Sequence, residues 1–244
     1  MTAIVVALPP RSIAKTTDTI VDETPLSREQ TTAILDGVVQ DGLRAAHESG
    51  GPLSIWIDES TRTVSEWNDP RGHARNLIEG ALPSDAPMPE IDTESPTEYA
   101  AIAAAIERTN EASGAVLIPG TPFVQRRHID EAAMRLRQTD VVLGPATAGT
   151  WYLFGHREEV EFSYPEDSYL SSTIARQATA SDYSMNLLRT LPGIWDGNSL
   201  ADAVTTLTIA DYADLSVGPF TRAWLEQHSI QTVNTAEGPR IRET

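Results

Sequence analysis

The 244-residue sequence contains no cysteine, which removes disulfides, zinc–thiolate sites and cysteine nucleophiles together. It contains one lysine, Lys15, against seventeen arginines. Bases number 18 and acids 35, for a net charge of −17. A self-field of that sign repels phosphate backbones and anionic lipids, which argues against nonspecific nucleic-acid and membrane-surface binding. The same excess suits a protein kept soluble in concentrated salt, where the Debye length falls to about 3 Å at 1 M. A halophilic source and a cytoplasmic location are therefore expected. No apolar run approaches the roughly 18 residues that mark a membrane span, and no charged-then-apolar leader opens the sequence. Neither a GxGxxG nor a Walker A pattern occurs, so dinucleotide and P-loop chemistry are set aside. The five histidines, at 47, 73, 128, 156 and 228, show no metal-ligand spacing and read as surface or capping residues.

What is present is alternation. Short apolar runs with the length of buried strands lie at Ile4–Leu8, Leu53–Ile57, Ala115–Ile118, Val141–Leu143 and Tyr152–Phe154, with a further candidate at Asn186–Leu191. Helical patterns fall between them. Ser27 and Gln30 form a capping box opening a helix that runs to Gly50-Gly51. Ser95-Pro96-Thr97-Glu98 reads as a second box, with proline at the first helical position. Ile129, Ala132, Ala133 and Leu136 share one helical face. Leu170–Ala180, a helix capped within Ser199–Asp202, and Pro219–His228 complete the set, with a polar, strand-like tail over Ile230–Ile241. Residues 58–92 read as an irregular insertion, and Glu161–Tyr169 as strand then loop. Strands and helices alternating without a linker predict one α/β domain over 1–244, a mostly parallel sheet with helices on both faces.

Ligands of open α/β sheets bind outside the carboxyl ends of the strands, so the loops at those ends are the ones to question. The segment leaving the first strand, Pro9–Thr16, carries Arg11, Ser12, Lys15 and Thr16, a combination of planar fork, point charge and hydroxyls suited to phosphate oxygens. Two ordinary surface bases on a solvated loop would look the same. Gly120, Thr121 and Pro122 form the turn after the central strand, where a positive φ is one alternative reason for a glycine between prolines. Gly149 and Thr150 lie in a small-residue loop, followed by Trp151 and Tyr152, which either stack on a base or pack in the core.

In order along the chain, these pieces resemble the glycosyltransferase-A-like nucleotidyltransferases, specifically the 2-phospho-lactate guanylyltransferases of coenzyme F420 synthesis. Pro9 and Ala14-Lys15-Thr16 match that family's first loop, Leu26-Ser27-Arg28-Glu29 its capped helix, and Val116-Leu117-Ile118, Pro122 and His128-Ile129 its central strand and turn. Ala148-Gly149-Thr150 stands at its glycine-rich loop, Tyr164 and Ser168 in its substrate segment, and Asp196 at its late acidic element. Gly144-Pro145-Ala146, Gly149 and Tyr152-Leu153 also resemble a related family of bacterial glycosyltransferases. The resemblance implies a nucleotide, GTP first, held by Pro9, Arg11, Ser12, Lys15, Thr16, Gly149 and Thr150. It also implies Mg²⁺ on Asp196 if the chain is active, and substrate contacts from Gly120, Thr121, Pro122, Tyr164 and Ser168. Two departures weigh against catalysis. Gly120 replaces the family's first metal carboxylate, and Thr147-Ala148 stand where the glycosyltransferase-like relatives carry an acidic pair. Three readings stay open: a catalytically silent relative that binds a nucleotide or phospho-ligand, an active metal-dependent transferase, or a domain for protein contacts. A homodimer or an active paralogue is the expected protein partner.

Overall fold

A computed structural model describes residues 1–8, 10–58, 69–158, 160, 170–236 and 238–243, with the backbone alone at 10–12 and 243. Among these, strands β1 (Ala3–Leu8), β2 (Leu53–Ile57), β3 (Glu90–Asp92), β4 (Ser113–Leu117), β5 (Val141–Pro145), β6 (Trp151–Arg157) and β7 (Met185–Leu187) form one sheet in the order β3-β2-β1-β4-β6-β5-β7. All neighbours pair parallel except β6, which runs antiparallel to both β4 and β5. The mostly parallel α/β sheet expected from the alternation is therefore present.

The central strands are apolar at nearly every position because both faces are covered. Ile4, Val6, Leu8, Ile55 and Ile57 point to one core, shared with helices α1 (Pro10–Glu23), α2 (Arg28–Glu48), α3 (Pro70–Ala81), α5 (Arg126–Arg135), α7 (Gly197–Tyr212) and α8 (Pro219–Gln227). Ala3, Val5, Ala7, Trp56 and Val116 point to the other, under α4 (Glu98–Thr109) and α6 (Ser171–Ala180). The strand period of two thus sorts each strand's residues between two apolar layers. A hairpin of β8 (Ile230–Thr235) and β9 (Gly238–Glu243) forms the tail and joins α7 through a Thr205–Thr232 hydroxyl bond of 3.0 Å.

Local chemistry accounts for the helix starts. Ser27 and Gln30 cap α2 reciprocally, as their spacing predicts, and Leu53–Ile57 is a strand at its expected bounds. Three expectations need correction. The segment after β1 is not a loop: α1 begins at Pro10, a residue whose fixed φ and missing N–H suit a first helical position. The α4 cap is Thr97 rather than Ser95, whose hydroxyl instead donates to Asp92 at 2.7 Å. The segment 58–92 is not irregular throughout, since it holds α3, capped by Asp69, and the edge strand β3. No described helix is long and apolar enough to cross a membrane. The strand and loop read at Glu161–Tyr169 lie outside the described residues.

Candidate functional site

The carboxyl ends of β1, β4, β5 and β7 open toward one edge of the sheet, where three connecting segments are hydrogen-bonded to one another. The turn after β4 is tied to the segment after β7 by Ile194 N–H, which donates to Gly120 O at 2.8 Å. The turn after β5 joins the same segment. Thr147 N–H donates to Leu191 O at 3.0 Å, and Gly193 N–H donates to the Thr147 hydroxyl at 2.9 Å. From the β1 side, Ile13 and Thr16 of α1 complete a narrow crevice of about 30 Å³ with Gly120, Ile194 and Trp195.

Gly120 is the informative position. Its φ is not positive, so the conformational alternative does not hold. The reason is Trp195. A Cβ built on Gly120 would lie 2.2 Å from the indole Cη2 and 2.8 Å from Cζ3. Real Cβ atoms do not approach that closely, so any side chain at 120, a carboxylate included, must displace the ring. The same indole crowds Gly193, where a Cβ would come within 2.3 Å of Nε1. Two glycines thus make room for one tryptophan, and its ring fills the space beside residue 120.

Asp196, the residue matched to a metal carboxylate, has another task. It is the N-cap of α7: its Oδ1 accepts from Ser199 N–H at 2.7 Å, while the Ser199 hydroxyl accepts from Asp196 N–H at 2.9 Å. Glu23 Oε2 accepts from Gly197 N–H at 2.8 Å at the same helix end. Both carboxylates neutralise orphan amides and the positive end of the helix dipole. Asp69 likewise caps α3, and Asp140 precedes β5 at the opposite edge of the sheet, bonded to Ser184. Among the described residues no three of His, Cys, Asp and Glu gather where a metal ion would fit. Among the described residues Mg²⁺ would therefore have Asp196, already engaged as a helix cap, and otherwise the oxygens of a bound nucleotide's phosphates.

The other expected site residues divide. Lys15 is exposed in the second turn of α1, and Thr16 borders the crevice. Pro9 lies outside the described residues, and Arg11 and Ser12 are placed by backbone only. Gly149 is exposed, and with Ala148 it takes left-handed φ angles of 75° and 61° in a single 3₁₀ turn. Thr150 closes that turn by donating its hydroxyl to Thr147 O at 3.0 Å. Thr121 is fully buried, its hydroxyl accepting from Phe123 N–H at 3.2 Å, and Pro122 is buried beside it. Trp151 and Tyr152 are core residues, 1% and 0% exposed, not a stacking platform. Tyr164 and Ser168 lie outside the described residues. Trp195 was not singled out by sequence reasoning. The only local signal for it is a glycine two residues before a tryptophan.

This sheet order, with one antiparallel strand beside β4 and loops converging at the carboxyl edge, is the glycosyltransferase-A-like fold of the nucleotide-diphospho-sugar transferases. A protein from Desulfovibrio desulfuricans G20 assigned to those transferases superposes with a TM-score of 0.70, covering 94% of this chain and 96% of its own at 13% identity. A cytidylyltransferase from Leptospira borgpetersenii follows with TM-score 0.51, 7% identity and coverages of 93% and 94%. A CMP:2-keto-3-deoxy-manno-octonic acid synthetase complexed with CTP gives 0.50, 12% identity and coverages of 86% and 99%. At such identities the likeness is one of fold. The family model described as an uncharacterized protein conserved in bacteria (DUF2064) matches residues 100–169, from α4 to beyond β6. No curated protein matches the sequence.

Proposed function

We propose that this chain is a divergent nucleotidyltransferase-like protein that binds a nucleotide or other phospho-ligand and has lost or weakened its catalysis. The observation that carries this reading is the Trp195 ring packed against Gly120, in the space a metal-holding carboxylate at 120 would need. With Asp196 and Glu23 both committed to the start of α7, a nucleotide's phosphates would meet Lys15, Thr16 and the exposed turn at Ala148–Thr150 rather than a protein-held Mg²⁺. The base is guanine on the resemblance to the F420 guanylyltransferases. Cytosine is the competing choice, because CTP occupies one of the structural neighbours. The chain would act as a homodimer or as the regulatory partner of an active paralogue, and in the second case the paralogue supplies the catalysis.

Calorimetric titration of GTP and CTP in concentrated KCl, with and without Mg²⁺, tests this. Binding is expected without metal and is expected to disappear in Lys15→Ala. Pyrophosphate release that requires Mg²⁺ would overturn the silent reading. Failure of every nucleotide to bind would favour protein contacts, for which Ile209, Tyr212 and Leu215, exposed on and after the end of α7, offer an apolar patch.

A further inference from the structure

Beside the turn of β4, where Gly218 meets Pro122, lies a second cleft of about 440 Å³ that the nucleotide reading does not use. Its walls are the second half of α2, the first turn of α5 and the segment 216–219 leading into α8. Three arginines border it: Arg44 from α2, and Arg126 and Arg127 from α5. In a chain with a net charge of −17 such convergence of bases is unusual, and their partners are weakly held. Arg44 Nε donates to Glu48 at 2.8 Å and Arg126 Nε to Asp130 at 3.0 Å, both exposed pairs one helical turn apart. Exposed pairs of that kind are the weakest class of ion pair and give way to a better oxyanion. Arg127 makes no hydrogen bond or ion pair among the described residues.

The third acid bordering the cleft, Asp41, is turned toward the start of α8, although its charge still acts on Arg44. It is 3% exposed, and its carboxylate accepts from Phe220 N–H at 2.9 Å, Thr221 N–H at 3.2 Å and the Thr221 hydroxyl at 2.6 Å. The cleft therefore sets three bases against three acids, one of them, Asp41, already held by three hydrogen bonds to α8, with the amino end of α5 adding its partial positive charge. Its walls are held in place. Gln125 Nε2 donates across the rim to Ser216 O at 2.8 Å, and Gly218, at φ 55°, is wedged against Pro122. Val124, Ala45 and Pro219 supply an apolar lining.

We propose that this cleft binds a small phosphomonoester, its phosphate held by the arginine forks and its carbon skeleton against the apolar lining. The volume is that of a small-molecule site, larger than phosphate alone requires. The test is titration of inorganic phosphate, then glycerol 3-phosphate, at moderate salt, followed by amide chemical shifts. Shifts are expected at Gln125–His128 and Ser216–Gly218. The exposed double substitution Arg126→Gln/Arg127→Gln is expected to weaken the binding read at Gln125–His128 and Ser216–Gly218 at least about tenfold. Equal affinity in the arginine variant, or phosphate shifts confined to α1 and abolished by Lys15→Ala, would overturn the proposal. So would absence of any phosphate-induced shift in the wild-type chain. Loss of nucleotide binding in Lys15→Ala with this cleft intact would separate the two sites.

Discussion

The two turns at the carboxyl edge of the sheet have opposite characters. After β4, Gly120, Thr121 and Pro122 are buried, covered by Trp195 on one side and backed by Gly218 on the other. After β5, Thr147, Ala148 and Gly149 are exposed, and two successive residues hold left-handed backbone angles. Resemblance places function at both turns, and of the two it is the second whose residues are exposed. A loop at the functional edge of a fold can thus be used for packing, and what separates the cases is which neighbours reach over it.

The comparison breaks first at Gly120. Gly120→Asp is expected to cost at least about 3 kcal/mol in denaturant unfolding, because the new carboxylate must push aside an indole and sit against it. Combining it with Trp195→Ala should recover part of that loss, a coupling of about 1–3 kcal/mol. A Gly120→Asp variant as stable as the parent would show that the turn is not sealed.

The backing of the sealed turn depends on pH. Burial pushes the Asp41 carboxyl up to about 6, against the opposing hydrogen bonds from Thr221 and Phe220. The folded chain then holds this proton more tightly than the unfolded chain does. Stability should fall as pH rises from about 4 to about 6, by no more than about 3 kcal/mol. Asp41→Asn should flatten that part of the curve in urea unfolding at a series of pH values. An unchanged slope would mean that Asp41 titrates normally and places no strain on the α2–α8 contact.

The open turn should respond least. Ala148→Gly is expected to stabilise the chain by up to about 1 kcal/mol, since glycine adopts φ 61° without the penalty an alanine carries there. A loss instead of a gain, read from the urea midpoint, would mean that the alanine methyl has a packing role.

Much of the fold was legible because it is written locally. The Ser27–Gln30 box and the apolar run Leu53–Ile57 each carry their signal within a few residues, and the alternation of such runs with helical patterns is enough for the sheet class. The misreadings also have local causes. Two successive prolines with bases after them look like a loop, yet proline at a first helical position starts α1. In α3 the buried face rests on Ala74, Leu77, Ile78 and Ala81, too short a stripe to stand out among polar residues. The site was less legible because its decisive contact joins residues far apart in the chain. Nothing near Gly120 announces Trp195, and nothing near Asp196 distinguishes a cap from a metal ligand except Ser199 three residues on.

The contact between Gly120 and Trp195 also makes the order of genetic change matter. A carboxylate gained at 120 while the indole remains meets the ring at once, whereas the same change after loss of the indole finds room. A chain that acquires a carboxylate at 120 must therefore first tolerate a hole where the ring had been. The tryptophan works as a latch on which side chains position 120 can accept.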